Sequence, residues 1–275
     1  MSKKIAAGQA RAQRKTRIVG SGLEFADHRN YTPGDDMRNI DWKVYGRTNK
    51  LFLKLFEEEE DLYIYFLLDT SKSMMLGFEP TKWDYAKQCA AALGYIGLSN
   101  LDRVSIIPFS SKLDGRMPPT RGKAQIFKIF DFLSSVEPGE QTSLGDAFKT
   151  FVAQNKRRGI AVVISDFYDP TGFEKGLNFL RYHKFDPIVL HVFDDRELDP
   201  SLHGELQLVD CETGEVREIT VTEGILKRYR QVWEKFCDEI DTYCSKRDIL
   251  YFRVPIQVPF DELVLRVFRA GGFIG

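Results

Sequence analysis

The chain is short of the residues that mark familiar catalytic centres. Its four cysteines (Cys89, Cys211, Cys237 and Cys244) form no Cys-x-x-Cys pair. That spacing excludes zinc-ribbon and dithiol redox motifs, and reduced thiols are expected. Its four histidines (His28, His183, His191 and His203) are scattered, with no His-Glu-x-x-His. A zinc hydrolase or Ser-His-Asp enzyme gains little from that. Neither sign of charge dominates: 39 Lys plus Arg stand against 40 Asp plus Glu, for a net charge of −1. Bulk charge therefore argues against a polyanion binder. No apolar run approaches the ~20 residues of a membrane span. The opening Met1-Ser-Lys-Lys-Ile-Ala-Ala-Gly has no apolar core of signal-peptide length, so a cytoplasmic location is expected.

What is present is an ordinary globular composition. The chain has 275 residues, 43% of them hydrophobic, enough for one large domain or two small ones around a real core. The first 17 residues hold six basic residues and no acid. They read as a basic first helix or a solvated terminus, and nucleic acid is not an expected partner because no aromatic platform is interleaved with them. The acidic run 57–61 reads as a solvated strand entrance.

From residue 62 onward, strand and helix patterns alternate. Leu62–Leu68, Val104–Phe109, Ile160–Ile164 and Ile188–Phe193 are short apolar runs suited to strands buried on both faces. Helical spacing marks 81–99, 122–136, 144–155, 171–183 and 223–246. In 122–136, Ile126, Ile129, Phe130 and Leu133 share one face. In 223–246, Leu226, Tyr229, Val232, Trp233, Phe236, Ile240 and Tyr243 are expected inward. Residues 206–210 and 216–221 flank Glu212-Thr-Gly-Glu215 as a β-hairpin. Residues 249–254 complete the strands, and 259–270 read as a terminal helix. The expected fold is α/β: a doubly wound, mainly parallel sheet with helices on both faces, an N-terminal extension and a hairpin insertion at about 205–221.

In such folds ligands sit beyond the carboxyl ends of the strands. The residues there are Asp69, Ser71 and Ser73 after the first apolar strand, Thr142 at a helix start, and Asp166 after Ile160–Ile164. All five offer oxygen, two as carboxylates and three as hydroxyls. That set suits Mg²⁺ (or Mn²⁺), with the carboxylates holding metal waters and the hydroxyls binding directly. Such a site leaves positive charge and an open position, which a carboxylate from a protein partner would fill. Asp-x-Ser-x-Ser alone arises by chance in roughly one chain in twenty of this length. Its placement after a buried strand, followed in order by Thr and Asp, is far more demanding.

This arrangement resembles the metal-ion-dependent adhesion site of von Willebrand factor A domains, with one departure. The family usually places Gly after the last Asp, and here Phe167 follows Asp166. The N-terminal residues Gly22-Leu-Glu-Phe and Tyr31-Thr-Pro-Gly-Asp-Asp-Met-Arg-Asn-Ile-Asp-Trp42 resemble the bacterial family called domain of unknown function 58. So do Asp210–Glu215 and Val254–Phe260. The resemblance implies a family-specific segment at 1–60 packed on a von Willebrand A-like domain at 61–275. It also implies an adaptor acting with a MoxR-type AAA+ ATPase in protein assembly or activation.

Asp35, Asp36, Arg38, Asp41 and Trp42 allow two readings: a partner-binding surface, or an internal network anchoring the N-terminal segment. For the whole chain the leading expectation is a metal-dependent protein–protein interaction module without catalysis. The alternative is a Mg²⁺-dependent phosphoryl transferase or phosphatase using Asp69 as nucleophile. Ser71 stands where such an enzyme needs its second acid.

Overall fold

The computed structural model describes residues 16–19, 24–58, 62–75, 77, 79–137, 139, 141–200, 202–263 and 265. The basic residues of 1–15, Gly22-Leu23, and all of the expected 259–270 helix except 259–263 and 265 lie outside these. The chain divides into two compact units, one within 1–61 and one within Leu62–Gly271.

The first unit holds β1 (Thr16–Val19), β2 (Glu24–Asn30), helix α1 (Trp42–Thr48) and β3 (Phe52–Glu58). The strands form an antiparallel sheet in the order β1-β3-β2. Glu57 and Glu58 are thus the end of a strand. Asp41 starts α1, accepting the amides of Lys43 and Val44 at 2.9 and 3.2 Å, and Asn49 ends it in the left-handed conformation.

The second unit runs β4 (Tyr63–Asp69), α2 (Lys72–Met75), α3 (Lys82–Ser99), β5 (Arg103–Phe109) and β6 (Met117–Thr120). It continues with α4 (Ile126–Ser135), α5 (Leu144–Gln154), β7 (Ile160–Ser165), α6 (Glu174–Tyr182), β8 (Asp186–Phe193) and α7 (Asp195–Leu198). The hairpin β9 (Gly204–Val209) and β10 (Val216–Val221), then α8 (Glu223–Ser245) and β11 (Leu250–Pro255), close it. The sheet order is β11-β8-β7-β4-β5-β6, parallel throughout except for β6, an antiparallel edge.

Alternation along the strands puts a core on each face. Tyr65, Leu67, Ile107, Phe109, Ala161 and Val163 pack with Leu144, Phe148, Leu177 and Ile240 of α5, α6 and α8. On the opposite face α3 comes close. A methyl group on Gly97 would sit 2.9 Å from Val104 Cγ2 and 3.0 Å from Ile64 Cδ1, so the helix backbone itself rests on β4 and β5.

Three inward assignments fail. Phe130, Tyr229 and Val232 are exposed, because the buried stripes of α4 and α8 are narrower than the apolar spacing suggests. In α8, Cys237 and Cys244 are buried instead, and all four cysteines are free thiols. Helix α6 starts at Glu174 rather than Thr171. The turn before it is held by Asp169, whose carboxylate accepts the Thr171 amide and hydroxyl, each at 2.7 Å.

Candidate metal centre

The strand order reverses between β4 and β7: the chain leaves β4 toward β5 on one side and β7 toward β8 on the other. That makes their carboxyl ends the topological switch point, where open α/β sheets form a crevice. Asp69 ends β4 and Asp166 follows β7, and both are fully buried.

Asp69 has both oxygens engaged. Oδ1 accepts the Ser71 amide at 2.9 Å, and Oδ2 accepts the Ser165 hydroxyl at 2.5 Å. Burial, and then the charge of Asp166, hold its carboxyl well above the ordinary carboxylate range, against the lowering effect of those hydrogen bonds. Ser71 and Ser73 face each other with their hydroxyls 3.0 Å apart. The structure therefore gathers Asp69, Ser71 and Ser73 on one turn.

Thr142 lies in the loop before α5. It is buried, and its Oγ1 has no hydrogen-bond partner among the described residues. Three contacts fix its loop. The Gly139 amide donates to Thr70 O at 2.7 Å, and the Ser143 amide to Ser110 O at 3.2 Å. The Leu144 amide donates to Asp169 Oδ2 at 2.7 Å. Asp169 thus caps α5 from across the site, in place of a side chain from Ser143. A Cβ on Gly139 would lie 2.5 Å from Ser110 Cβ, so only glycine fits there.

Phe167 stands where the resembled motif carries glycine. Its φ is +60°, the left-handed conformation that glycine adopts easily. Its buried ring meets Phe173 and His191 edge-on, and that packing offsets the backbone cost.

Two groups that the sequence pattern does not reveal complete the surroundings. Lys82, in the first turn of α3, is 2% exposed and donates to Asp166 Oδ2 at 2.9 Å. Its Nζ also lies 2.6 Å from Glu197 Oε1. Burial alone would drive this ammonium toward neutrality, but Asp166 and Glu197 overcome it and hold the pKa above the ordinary lysine value. Tyr168 lies beside it, with the ring centre 5.1 Å from Nζ. The second group is Glu212, from the hairpin tip. Burial raises its carboxyl and Asp166 raises it further, while the nearby Thr142 amide and hydroxyl pull it down. Glu212 Oε1, like Thr142 Oγ1, is buried without a hydrogen-bond partner among the described residues. A lysine in a helix's first turn, or a glutamate in a hairpin turn, carries no sequence signal of such a role.

No three Asp, Glu, His or Cys side chains converge as a metal-binding group among the described residues. A cation here would be held by two carboxylates and hydroxyls. The orphaned Thr142 hydroxyl fits such a site, as does the excess of buried acid over the one buried ammonium.

Residues 27–236 match the family described as "Protein of unknown function DUF58". The chain belongs to this family. "Uncharacterized protein Mb1516" of Mycobacterium bovis is 27% identical over 208 residues, covering 74% of this chain and 65% of that protein. "Uncharacterized protein Rv1480" of Mycobacterium tuberculosis gives the same figures, 27%, 74% and 65%. The chain thus spans a little under two thirds of these relatives. An aerotolerance-related membrane protein from Bacteroides fragilis has a similar fold. It aligns at TM-score 0.50 and 16% identity, over 78% of this chain and 100% of that one. The conserved hypothetical protein BatB from Bacteroides thetaiotaomicron aligns at TM-score 0.47 and 15% identity, over 77% and 99%. No helix among the described residues is long and apolar enough to cross a membrane.

The remaining candidates make separate local contacts within the first unit. Asp35 accepts from Arg29 at 2.8 Å, and from the Thr32 amide and hydroxyl at 2.9 and 2.7 Å. Those bonds, the Thr32 hydroxyl foremost, lower its carboxyl to about 2. Asp36 pairs with Arg38 at 3.0 Å. Asp41 Oδ2 lies 3.1 Å from His28 Nε2. Trp42 is 60% exposed, its edge against Tyr45.

Proposed function

We propose that this chain is a metal-dependent protein–protein interaction module of the von Willebrand A-like kind. Mg²⁺ or Mn²⁺ would be held by Ser71, Ser73 and Thr142, with Asp69 and Asp166 placing its waters. The ion would supply a positive anchor for a carboxylate on the partner. What supports this reading is a pair of fully buried aspartates at the ends of the adjacent strands β4 and β7, at the switch point of the sheet, with a buried Thr142 hydroxyl that has no partner among the described residues on a loop bonded to Thr70. The partner proposed is a MoxR-type AAA+ ATPase, as the sequence resemblance implies, with the chain acting as adaptor.

The geometry gives less to phosphoryl transfer at Asp69. That carboxylate is wholly buried and both its oxygens are occupied, and Ser71 stands where the second acid would be needed. The deciding experiment is calorimetric titration of Mg²⁺ and Mn²⁺ into the wild type and Asp69→Ala, with circular dichroism to confirm folding. Binding by the wild type that disappears in the variant supports the proposal. A folded wild type that binds neither ion refutes it.

A further inference from the structure

The net charge of −1 conceals an uneven distribution of charge. Asp69 and Asp166 lie at the carboxyl ends of the strands, whereas two turns at the amino ends of β7 and β8 gather cations. Lys156, Arg157 and Arg158 precede β7, Arg181 and Lys184 precede β8, and all five are exposed. Strand pairing makes the turns neighbours: Ile160 lies opposite Asp186, and the Asp186 amide donates to Gly159 O at 3.0 Å. Both turns are held in place. The Tyr65 hydroxyl donates to Arg157 O at 2.8 Å. A Cβ on Gly159 would lie 2.1 Å from Tyr63 O, so the first turn rests on the backbone of β4. In the second, Lys184 takes the left-handed conformation at φ +64°. The buried Phe185 ring then meets Tyr65 and Phe151, with centroids 5.7 and 5.0 Å away.

This pole differs from an ordinary solvated surface. None of its five cations forms an ion pair among the described residues, whereas Arg196, Arg217, Arg230 and Arg253 of the same unit each hold a carboxylate. The dipole of α6 favours Arg181 and Lys184, but Arg157 and Arg158 lie beyond the last turn of α5 and owe it nothing. Between Arg181 and Lys184 stands Tyr182, 83% exposed, its ring edge-on to His183 at 5.1 Å.

Cations alone accept any anion. Cations interleaved with a bare aromatic ring match a chain that alternates phosphate and base, since every base offers a face for stacking. Bases in a duplex are already stacked on one another, so the ring favours a single strand. We propose that this pole binds single-stranded nucleic acid without regard to sequence, with phosphates on the five cations and a base on Tyr182. Bulk composition hides it, because acids elsewhere in the chain cancel these charges. The inference goes beyond the metal reading and does not depend on it.

The test is fluorescence anisotropy of a labelled oligothymidine of about 20 nucleotides with the full chain in EDTA, at salt from about 50 to 200 mM. Five phosphate contacts on a single strand give a slope of log affinity against log salt of about −3.5. The double variant Arg157→Ala, Arg158→Ala should flatten that slope by about 1.4. Tyr182→Ala should bind at least ~5-fold more weakly at every salt concentration with the slope kept, and Tyr182→Phe should bind as the wild type does. These side chains are exposed, so circular dichroism should match the wild type. Absence of binding at about 50 mM salt would overturn the proposal. So would a slope untouched by the double variant but flattened by replacing Lys3, Lys4 and Arg11, which would place the contact on the basic N-terminal residues. Polyglutamate that displaces the probe as well as unlabelled oligothymidine does, with Tyr182→Ala equal to the wild type, would assign the pole to an acidic protein instead.

Discussion

Replacing Lys82 by Met isolates the electrostatics of the centre. Lys82 is the buried ammonium between Asp166 and Glu197, at 2.9 and 2.6 Å. Removing one partner of a buried ion pair costs about 3–5 kcal/mol, because the other charge stays behind unpaired. The two acids share that cost unequally. Glu197 has a side chain 28% exposed and can turn to water, whereas Asp166 is 0% exposed and cannot. The lower end, about 3 kcal/mol, is therefore expected. In a unit of this size each kcal/mol lowers Tm by about 2–4 °C, so Lys82→Met should melt roughly 6–12 °C below the wild type in EDTA. Mg²⁺ should restore most of that loss. A ligand at a hundred times its Kd stabilises by about 2.7 kcal/mol, and the freed Asp166 oxygen makes the variant the stronger binder. Thermal melts followed by circular dichroism, in EDTA and in saturating Mg²⁺, measure both effects. A variant melting within ~2 °C of the wild type in EDTA would refute the claim that Lys82 holds the Asp166 charge.

Two further outcomes follow from local geometry. Gly139→Ala forces a Cβ to 2.5 Å from Ser110 Cβ. It should displace the loop carrying Thr142, weakening Mg²⁺ binding by calorimetry more than it lowers Tm. Asp41→Ala removes the cap of α1 and the His28 contact, and should lower the stability of the first unit in urea titrations. Acid should act in the same direction. The hydrogen bond with His28 is the main cause holding the Asp41 carboxyl below its ordinary 3.8. Its stabilisation is present above that value and disappears as pH falls through the depressed pKa. An acid limb of the urea midpoint unchanged by the substitution would count against this assignment.

The second unit was legible where burial on two faces left an unbroken apolar run, as in β4 and β7. Asp69, Ser71 and Ser73 are neighbours in sequence, and the reversal of strand order places Asp166 beside them. Lys82 was not legible, because its contacts with Asp166 and Glu197 come from tertiary approach rather than spacing. The strands of the first unit escaped notice because charged residues interrupt their apolar positions: Asp27, His28 and Arg29 all lie in β2. Helix faces were overestimated at Phe130, Tyr229 and Val232, since periodicity gives the direction of a stripe and not its width. Phe167 shows the converse: a residue type that speaks against a backbone conformation, held in it by its own buried ring.

Asp169 spends one oxygen on the first amide of α5 and the other on Thr171. The loop after β7 and the loop before α5 are thereby one mechanical piece, with Asp166 at one end and Thr142 at the other. The conformational entropy of arranging these two groups is lost when the chain folds. At the proposed centre little would then remain to be lost when a ligand arrives, and affinity would be set by the charge of what enters.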